Sequence, residues 1–573
     1  MHRTILVPAI AVLLLISRFG WAQSSPTDSP ASVLDLARQA RAKADSNQWK
    51  ESASLWERVV KLNPVQASHW YALGEARSRA SDYTAAVPAF EKARDLGAPL
   101  MGPSFSQYEI ARCHARAGEK EKAIQALERA LAMGYPNLGA AASDPDLASL
   151  REDPRFKTML RLADVSKMSR EEGWRYDLAV LAGEVRRKGF VVHRNVTLEQ
   201  FDAKIREIHD AIPKLGDEQI ILALMKLMVF LDDGHTAVWN FGKYTKFAGT
   251  LPMRFFWFEE GLFVTAADPK LKDLLGAQVM AFDGKPAVEV LEAMNPYINR
   301  DRGNPMALKL SAPYRVRNLK FLEANGLIKG PERVTLSVRD VSGATRDVTV
   351  AADTTHPDIW NVLPNPPEWV NFASTLPEPP LYLQHMDRPQ WFEYLPEEKT
   401  VYFQFNKVLN GPRESFAQFT NRLLTFIEQN EEIEKLVIDM RWNNGGNTFL
   451  SQPLLLSLIG NQRLNQRGKL FVIIGRRTYS AAQNTATYFE RFTNATFVGE
   501  PTGSSPNFVG EEVPLTLPYS QVMANVSHLY WQSSWPPDQR IWLAPNIYVP
   551  PTFADFRAGR DAALEAILGQ PVR

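Results

Sequence analysis

The spacing of apolar positions changes three times along this chain, and each change marks a different kind of structure. Between residues 31 and 135 the pattern has helical spacing and then repeats itself. Trp49, Ser52, Trp56, Val59 and Leu62 return 34 residues later as Tyr83, Ala86, Phe90, Ala93 and Leu96. They return more loosely as Lys120, Ala123, Leu127, Ala130 and Met133. A fixed period of this length predicts helix pairs that stack, with the repeated positions as core. Asp144 to Leu160, with Pro145, Pro154 and Phe156, reads as a cap on the stack, so the array occupies 31–160. Residues 166–240 are helical without repetition. Thr197-Leu198-Glu199-Gln200 has the form of a helix start before Phe201, Ile205, Ile208 and Ile212. From 248 to 352 short apolar runs such as Leu262–Val264, Gln278–Phe282 and Val334–Val338 alternate with Gly-containing turns and predict strands. Nine prolines between Pro357 and Pro396 make 353–398 an extended linker unsuited to a helix or a central strand. The last segment, 399–570, alternates buried strands (Val401–Phe405, Leu436–Ile438, Leu470–Ile474) with helical stretches such as Phe416–Gln429, which is the α/β pattern.

Composition changes little in this picture. The 573 residues are 45% hydrophobic and 23% charged, enough for several packed domains. Lys+Arg 65 against Asp+Glu 64 gives no basic field and argues against nucleic acid as a partner. Residues 1–22 look like a secretory leader: His2 and Arg3, an apolar core from Ile5 to Ile16, and small residues in Gly20-Trp21-Ala22. The apolar run is short for a span and contains Pro8, so stable membrane insertion is not expected. Cys113 is the one cysteine, which excludes an intrachain disulfide and suits a buried helix position. An exported protein, periplasmic or extracellular, is expected. Within the array, Trp70-x-x-Leu73-Gly74 and Asn63-Pro64 resemble the tetratricopeptide repeat. That resemblance implies either a groove for a protein partner or a rigid spacer.

The candidate chemistry lies between Lys435 and Gly503. The strand Leu436–Ile438 runs into Asn443-Asn444-Gly445-Gly446, a turn that tolerates positive φ and leaves backbone N–H groups uncovered. The strand Leu470–Ile474 runs into Thr478-Tyr479-Ser480-Ala481-Ala482, after which Ala482, Ala486 and Phe489 recur at helical spacing. Ser480 therefore stands at a helix start. It is either an N-cap or a nucleophile at a strand-to-helix turn, with the Ala481 N–H facing an oxyanion.

Taken together, Asp439-x-Arg441-x-Asn443-x-Gly445-Gly446, the Ser480-Ala481-Ala482 helix start and Gly499-Glu500-x-Thr502-Gly503 resemble the tail-specific protease and tricorn-core family of serine peptidases. The resemblance implies Ser480 as nucleophile, and an oxyanion hole from Ala481 together with Gly445 or Gly446. It also implies an α/β catalytic domain of the ClpP/crotonase-like kind. Leu274-Leu275-Gly276-Ala277 and Asp283-Gly284-Lys285-Pro286 resemble a PDZ domain, the module that binds a peptide terminus by strand addition. The processing branch of the family takes a lysine some 25 residues beyond the serine as base. Here that place is Ser504-Ser505, and no lysine follows Lys469. Asp232-Asp233-Gly234-His235-Thr236 resembles the segment that carries the base in the tricorn-like branch, which makes His235 the implied base. That branch has a serine just before the histidine, where this chain has Gly234. The orienting group is therefore open between Asp538, at the expected distance beyond Ser480, and Glu500 as runner-up.

The expectation is a multidomain α and α/β protein: repeat array, helical segment, PDZ-like β domain and α/β catalytic domain. It would hydrolyse peptide bonds of a peptide or protein substrate through an acyl-enzyme. No zinc-type ligand spacing and no phosphate loop is present, so neither metal nor cofactor is expected. The alternatives are a non-catalytic protein on the same fold that binds a hydrophobic ligand or peptide, and a repeat scaffold with a vestigial catalytic domain.

Overall fold

A computed structural model describes residues 32–97, 102–188, 195–240, 249–353 and 367–570. They form two compact units with the boundary after Leu160. The leader segment lies outside the described residues. So does residues 354–366 of the proline-rich segment.

Among the described residues the first unit opens with six successive helices, from Val33–Asp45 and Trp49–Leu62 to Pro103–Arg116 and Lys120–Ala132, and the short helices Leu138–Ser143 and Pro154–Met159 follow. Its core follows the middle of the repeat. Trp56, Phe90 and Leu127 are buried, and so are Ser52, Ala86 and Ala123 and then Val59, Ala93 and Ala130. A methyl group on Gly74 would come 2.8 Å from the Phe90 ring, so bare backbone is what lets those two helices touch. The outer repeat positions are not core. Trp49 and Tyr83 are half-buried, while Lys120 and Met133 are exposed, because these positions fall at helix ends beyond the packed layer. Cys113 is buried in its helix, as its isolation in the sequence led one to expect. Leu147, Leu150 and Phe156 join the core of the last helices.

The second unit opens with helices Arg170–Lys188, Leu198–Ala211 and Asp217–Phe230. The second of these starts at a capping box made by Thr197 and Gln200. After the third, the chain is not helical to its expected end. Asp232 takes a φ of 54°, and the chain turns into strand β1 (Ala237–Asn240). An antiparallel sheet follows, built from β2 (Met253–Phe258), β3 (Gly261–Ala267), β4 (Gln278–Phe282), β5 (Lys285–Pro286), β6 (Arg333–Arg339), β7 (Thr345–Ala351) and β8 (Val370–Asn371). Its main order is β2-β3-β4-β6-β7, with β5 on β4 and β8 on β3.

The α/β layer contains β9 (Gln390–Leu395), β10 (Thr400–Phe405), β11 (Lys435–Asp439), β12 (Leu470–Ile474), β13 (Thr496–Gly499) and β16 (Ile547–Tyr548), in the order β16-β13-β12-β11-β10-β9. All pairings are parallel except β9 on β10. The linker thus ends in an edge strand of this sheet. Proline-rich flanks tolerate an edge, where one side of the strand needs no donors. Residues of β11 and β12 are buried throughout, because helices cover both faces of the sheet. Finally β14 (Asn507–Thr516) and β15 (Met523–Gln532) form a hairpin, and β1 pairs with β15. One continuous core, including Trp174, Leu181, Met228, Val264, Val334 and Val526, unites the three helices, the antiparallel sheet and this hairpin. The pairing of β1 with β15 joins the Asp232–Thr236 turn to the hairpin that follows the α/β strands. A sequence separation of nearly 300 residues is closed in this way.

Candidate active site

Three loops leave the C-terminal ends of the parallel strands β11, β12 and β13, the edge where α/β proteins build sites. The first begins at Asp439, whose carboxylate accepts from the Tyr402 hydroxyl at 2.6 Å and from Arg441. Arg441 in turn grips Asp561 with two bonds of 2.9 Å. This anchored strand end presents the Asn443–Gly446 turn. The buried Asn443 carboxamide accepts the Gly445 N–H at 3.0 Å, and Gly445 has a φ of 107°. The second loop is stitched to the first. Thr478 Oγ1 donates to the Met440 carbonyl at 2.9 Å, and the Tyr479 N–H to the Asn443 carbonyl at 3.1 Å.

Ser480 sits where these loops meet. It precedes helix Ala481–Phe492, but its side chain makes no capping hydrogen bond, and its φ of 55° with ψ of −126° lies outside the conformations of ordinary N-caps. Holding a non-glycine residue there costs about 1–3 kcal/mol. Gly445 presses on it closely: a methyl at that glycine would lie 2.8 Å from Ser480 Cβ and 2.9 Å from the Ala481 nitrogen. Of the three expected oxyanion donors, the Gly445 N–H is taken by Asn443. Those of Gly446 and Ala481 find no partner among the described residues.

His235 arrives from the other side, in the turn between helix Asp217–Phe230 and β1. Its ring lies between two aromatic faces, Tyr479 at 4.6 Å and Phe508 at 5.3 Å between centroids. Nδ1 lies 3.1 Å from the Tyr479 hydroxyl, and the buried Nε2 has no hydrogen-bond partner. The Asp233 carboxylate accepts the His235 backbone N–H at 2.8 Å, and burial pushes its pKa up to about 6. Asp301 closes the turn. It accepts the Gly234 N–H at 2.9 Å, the Ser504 hydroxyl, and the Ser505 N–H at 3.3 Å. The two serines that stand where the processing branch has its lysine therefore hold the histidine turn through Asp301.

Gly234, the departure from the tricorn-like pattern, has a local cause. A Cβ there would lie 2.4 Å from the Tyr479 hydroxyl and 2.8 Å from Asp301 Oδ1. The tyrosine hydroxyl occupies the space that a side chain at residue 234 would need. Its own pKa is raised well above the ordinary value by burial and by the neighbouring Asp301 and Asp233, so it remains a neutral hydroxyl.

The structure brings none of Ser480, Asp538 and Glu500 into hydrogen-bond contact with His235. Asp538 accepts from Ser534 Oγ at 2.6 Å and pairs with Arg540, which holds its carboxyl down at about 2 against the opposing effect of burial. Glu500 is buried in a two-bond pair with Arg476 at 2.7 and 2.8 Å. Arg476 also donates to the Trp257 carbonyl at 2.7 Å. That contact ties β2 to the loop that leads to Ser480. Tyr479, Asp233, Asp301 and Phe508 were not singled out as site residues from sequence. Tyr479 and Asp233 lie within the quoted motifs, whereas Asp301 and Phe508 carry no local signal.

Asp233, His235 and Asp301 bring ligand atoms within 4.8 Å of one another, the one such convergence among the described residues. Sequence spacing could not reveal it, since Asp301 is far from the other two along the chain. Asp301 is already engaged by two N–H groups and a hydroxyl, and His235 Nδ1 by Tyr479.

Comparison with known proteins bears on the fold. A family profile for the tetratricopeptide repeat matches residues 37–100. No curated protein matches the chain. Among solved structures, a mutant of CPAF superposes with a TM-score of 0.50 at 13% identity, over 70% of this chain and 99% of that one. The chain shares the fold of CPAF. Weaker overlays are found with mature CPAF bound to lactacystin (TM-score 0.48, 14% identity, 69% and 97% of the two chains). The photosystem II D1 C-terminal processing protease is also similar (TM-score 0.34, 13% identity, 70% and 97%). The fold is therefore a helical repeat array followed by a mixed α/β body like that of CPAF.

Proposed function

We propose that this chain is an exported serine peptidase in which Ser480 is the nucleophile, His235 the base and the Tyr479 hydroxyl the group that orients the base. The observation that carries this reading is the state of Ser480: strained, uncapped, and pressed against the Gly445 turn, with two unengaged N–H groups beside it. A binding protein on this fold gains nothing from holding a serine in that conformation. With the Nδ1–H donating to the Tyr479 oxygen, the orphan Nε2 carries the lone pair. Nε2 takes the serine proton as Oγ attacks the scissile carbonyl. The N–H groups of Ala481 and Gly446 receive the oxyanion, an interaction worth roughly 3–4 kcal/mol per donor in comparable sites. The imidazolium, with Asp233 and Asp301 close by, then protonates the leaving amine. Water repeats the sequence on the acyl-enzyme.

Export is supported by the pattern of residues 1–22. Among the described residues no helix is long and apolar enough to cross a membrane. The repeat array supports a protein partner or a protein substrate.

The test is a pH–rate profile. In the wild type kcat/KM rises with pH through a limb between roughly 6 and 7.5, as neutral imidazole forms. His235→Gln removes the limb, whereas methylation of the lysines spares activity. Tyr479→Phe lowers kcat about tenfold with KM little changed and displaces the limb, while Asp538→Asn leaves the limb in place. A limb that survives His235→Gln refutes the base. A limb moved by Asp538→Asn and not by Tyr479→Phe refutes the orienting group.

A further inference from the structure

Behind the two catalytic turns lies a cavity of about 170 Å³, bounded by β2 of the antiparallel sheet, the ends of β12 and β13, and the segment 549–563. Ser480, His235, Gly445 and Gly446 do not line it, so it is separate from the site described above. Its wall is mostly apolar, with Phe256, Phe258, Ile474, Val549 and Phe556 among the lining side chains.

The charged groups in this wall are unequal. Arg441 is matched by Asp561, Arg476 by Glu500 and Arg560 by Asp555, and Arg254, also in the wall, has an interaction of its own. Arg477 is not matched. It is 8% exposed, and its Nη1 is buried with no hydrogen-bond partner. Desolvation lowers its pKa, the Tyr314 phenol opposes that in part, and the nearby Arg254 lowers it further. An unpaired buried guanidinium is unfavourable, and a bound anion would offset that cost. A second donor points the same way. Trp442 also lines the cavity, and its Nε1–H is buried without a partner. Both orphans are donors that cannot accept, so the missing partner is an acceptor, and the guanidinium makes an anionic acceptor the best match. The walls around them favour an apolar body.

We infer that this cavity binds a monocarboxylate with an apolar body, its carboxylate on Arg477 and Trp442 and its hydrophobic part along the phenylalanines. The carboxylate could belong to a free amphiphile or to the end of a peptide chain. Arg477 and Trp442 lie three residues before Ser480 and Gly445, so an occupant would brace the backs of both catalytic turns.

The test is calorimetric titration of the full chain at neutral pH with octanoate, with 1-octanol, and with a short peptide ending in phenylalanine as free acid or as amide. Octanoate is expected to bind about tenfold to a hundredfold more tightly than octanol and to raise Tm. Arg477→Met should erase that preference. Trp442→Phe should reduce it by about twofold to tenfold, and it covers the case in which Arg477→Met fails to fold. If the peptide acid binds and its amide does not, a chain end is the natural source; if octanoate alone binds, a free amphiphile is. Absence of octanoate binding to wild type, equal affinity for octanoate and octanol, or a preference that persists in folded Arg477→Met overturns the assignment. Binding is read without catalysis, so failure here leaves the peptidase proposal standing, and the reverse also holds.

Discussion

Gly445→Ala probes the junction on which the proposed chemistry depends. The added methyl would lie 2.8 Å from Ser480 Cβ, 2.9 Å from the Ala481 nitrogen and 3.0 Å from the Tyr479 carbonyl. The first contact is at least about 0.7 Å short of an ordinary carbon–carbon separation. The turn or the serine loop must therefore withdraw. The loop is held by Thr478 on the Met440 carbonyl and Tyr479 on the Asn443 carbonyl, so withdrawal strains both bonds. Alanine also tolerates the φ of 107° poorly, at a cost of about 1–3 kcal/mol. Adding the contact strain, unfolding in urea should show a loss of about 2–4 kcal/mol. Misplacing a nucleophile and its oxyanion donors by such a distance costs about a hundredfold to a thousandfold in rate. The assay is the second-order rate of acylation by an activated ester such as p-nitrophenyl acetate, which requires no knowledge of the natural substrate. A rate within about threefold of wild type, from a variant with native circular dichroism, would refute the close packing of Gly445 on Ser480 as a functional feature.

Glu500→Gln leaves Arg476 as a buried unpaired charge and should destabilise the second unit by about 3–5 kcal/mol in denaturant unfolding; a rate loss at unchanged stability would instead give Glu500 a chemical role. Asp233 has a folded pKa of about 6, raised by burial above its unfolded value. Its protonated form is the one folding favours, so this contribution is complete below about pH 4 and is lost as pH rises through about 6. The loss amounts to roughly 3 kcal/mol. Asp233→Asn should remove that dependence, so its stability relative to wild type should rise between pH 4 and 6.5; a flat difference would show that Asp233 titrates normally.

The sequence was most legible where periodicity and local chemistry agree. The middle repeat positions, the Thr197–Gln200 capping box, β10 to β12 and the helix after Ser480 all carry their own signals, and the structure has each of them. Position along a helix is not written in the repeat, and so Trp49 and Met133 were read as core although they fall at helix ends. The edge strand β9 hid behind the prolines around it, and β1 behind the helical pattern that precedes it. The site divides in the same way. Ser480, Gly445, Gly446, Ala481 and His235 stand in recognisable motifs. The carboxylates were harder, because residue type and spacing do not say which cation claims an acid first. Arg540 holds Asp538, and Arg476 holds Glu500. Nor could the substitution of glycine before His235 be interpreted until Tyr479, 245 residues further on, was seen filling that space.

The most direct test is reaction of the folded full chain with a fluorophosphonate probe, followed by intact mass and peptide mapping. A single adduct on Ser480 is expected, absent in Ser480→Ala at unchanged Tm and slowed at least a thousandfold in His235→Gln. No adduct on the folded wild type, or an adduct that persists in Ser480→Ala, would contradict the assignment of Ser480 as the nucleophile.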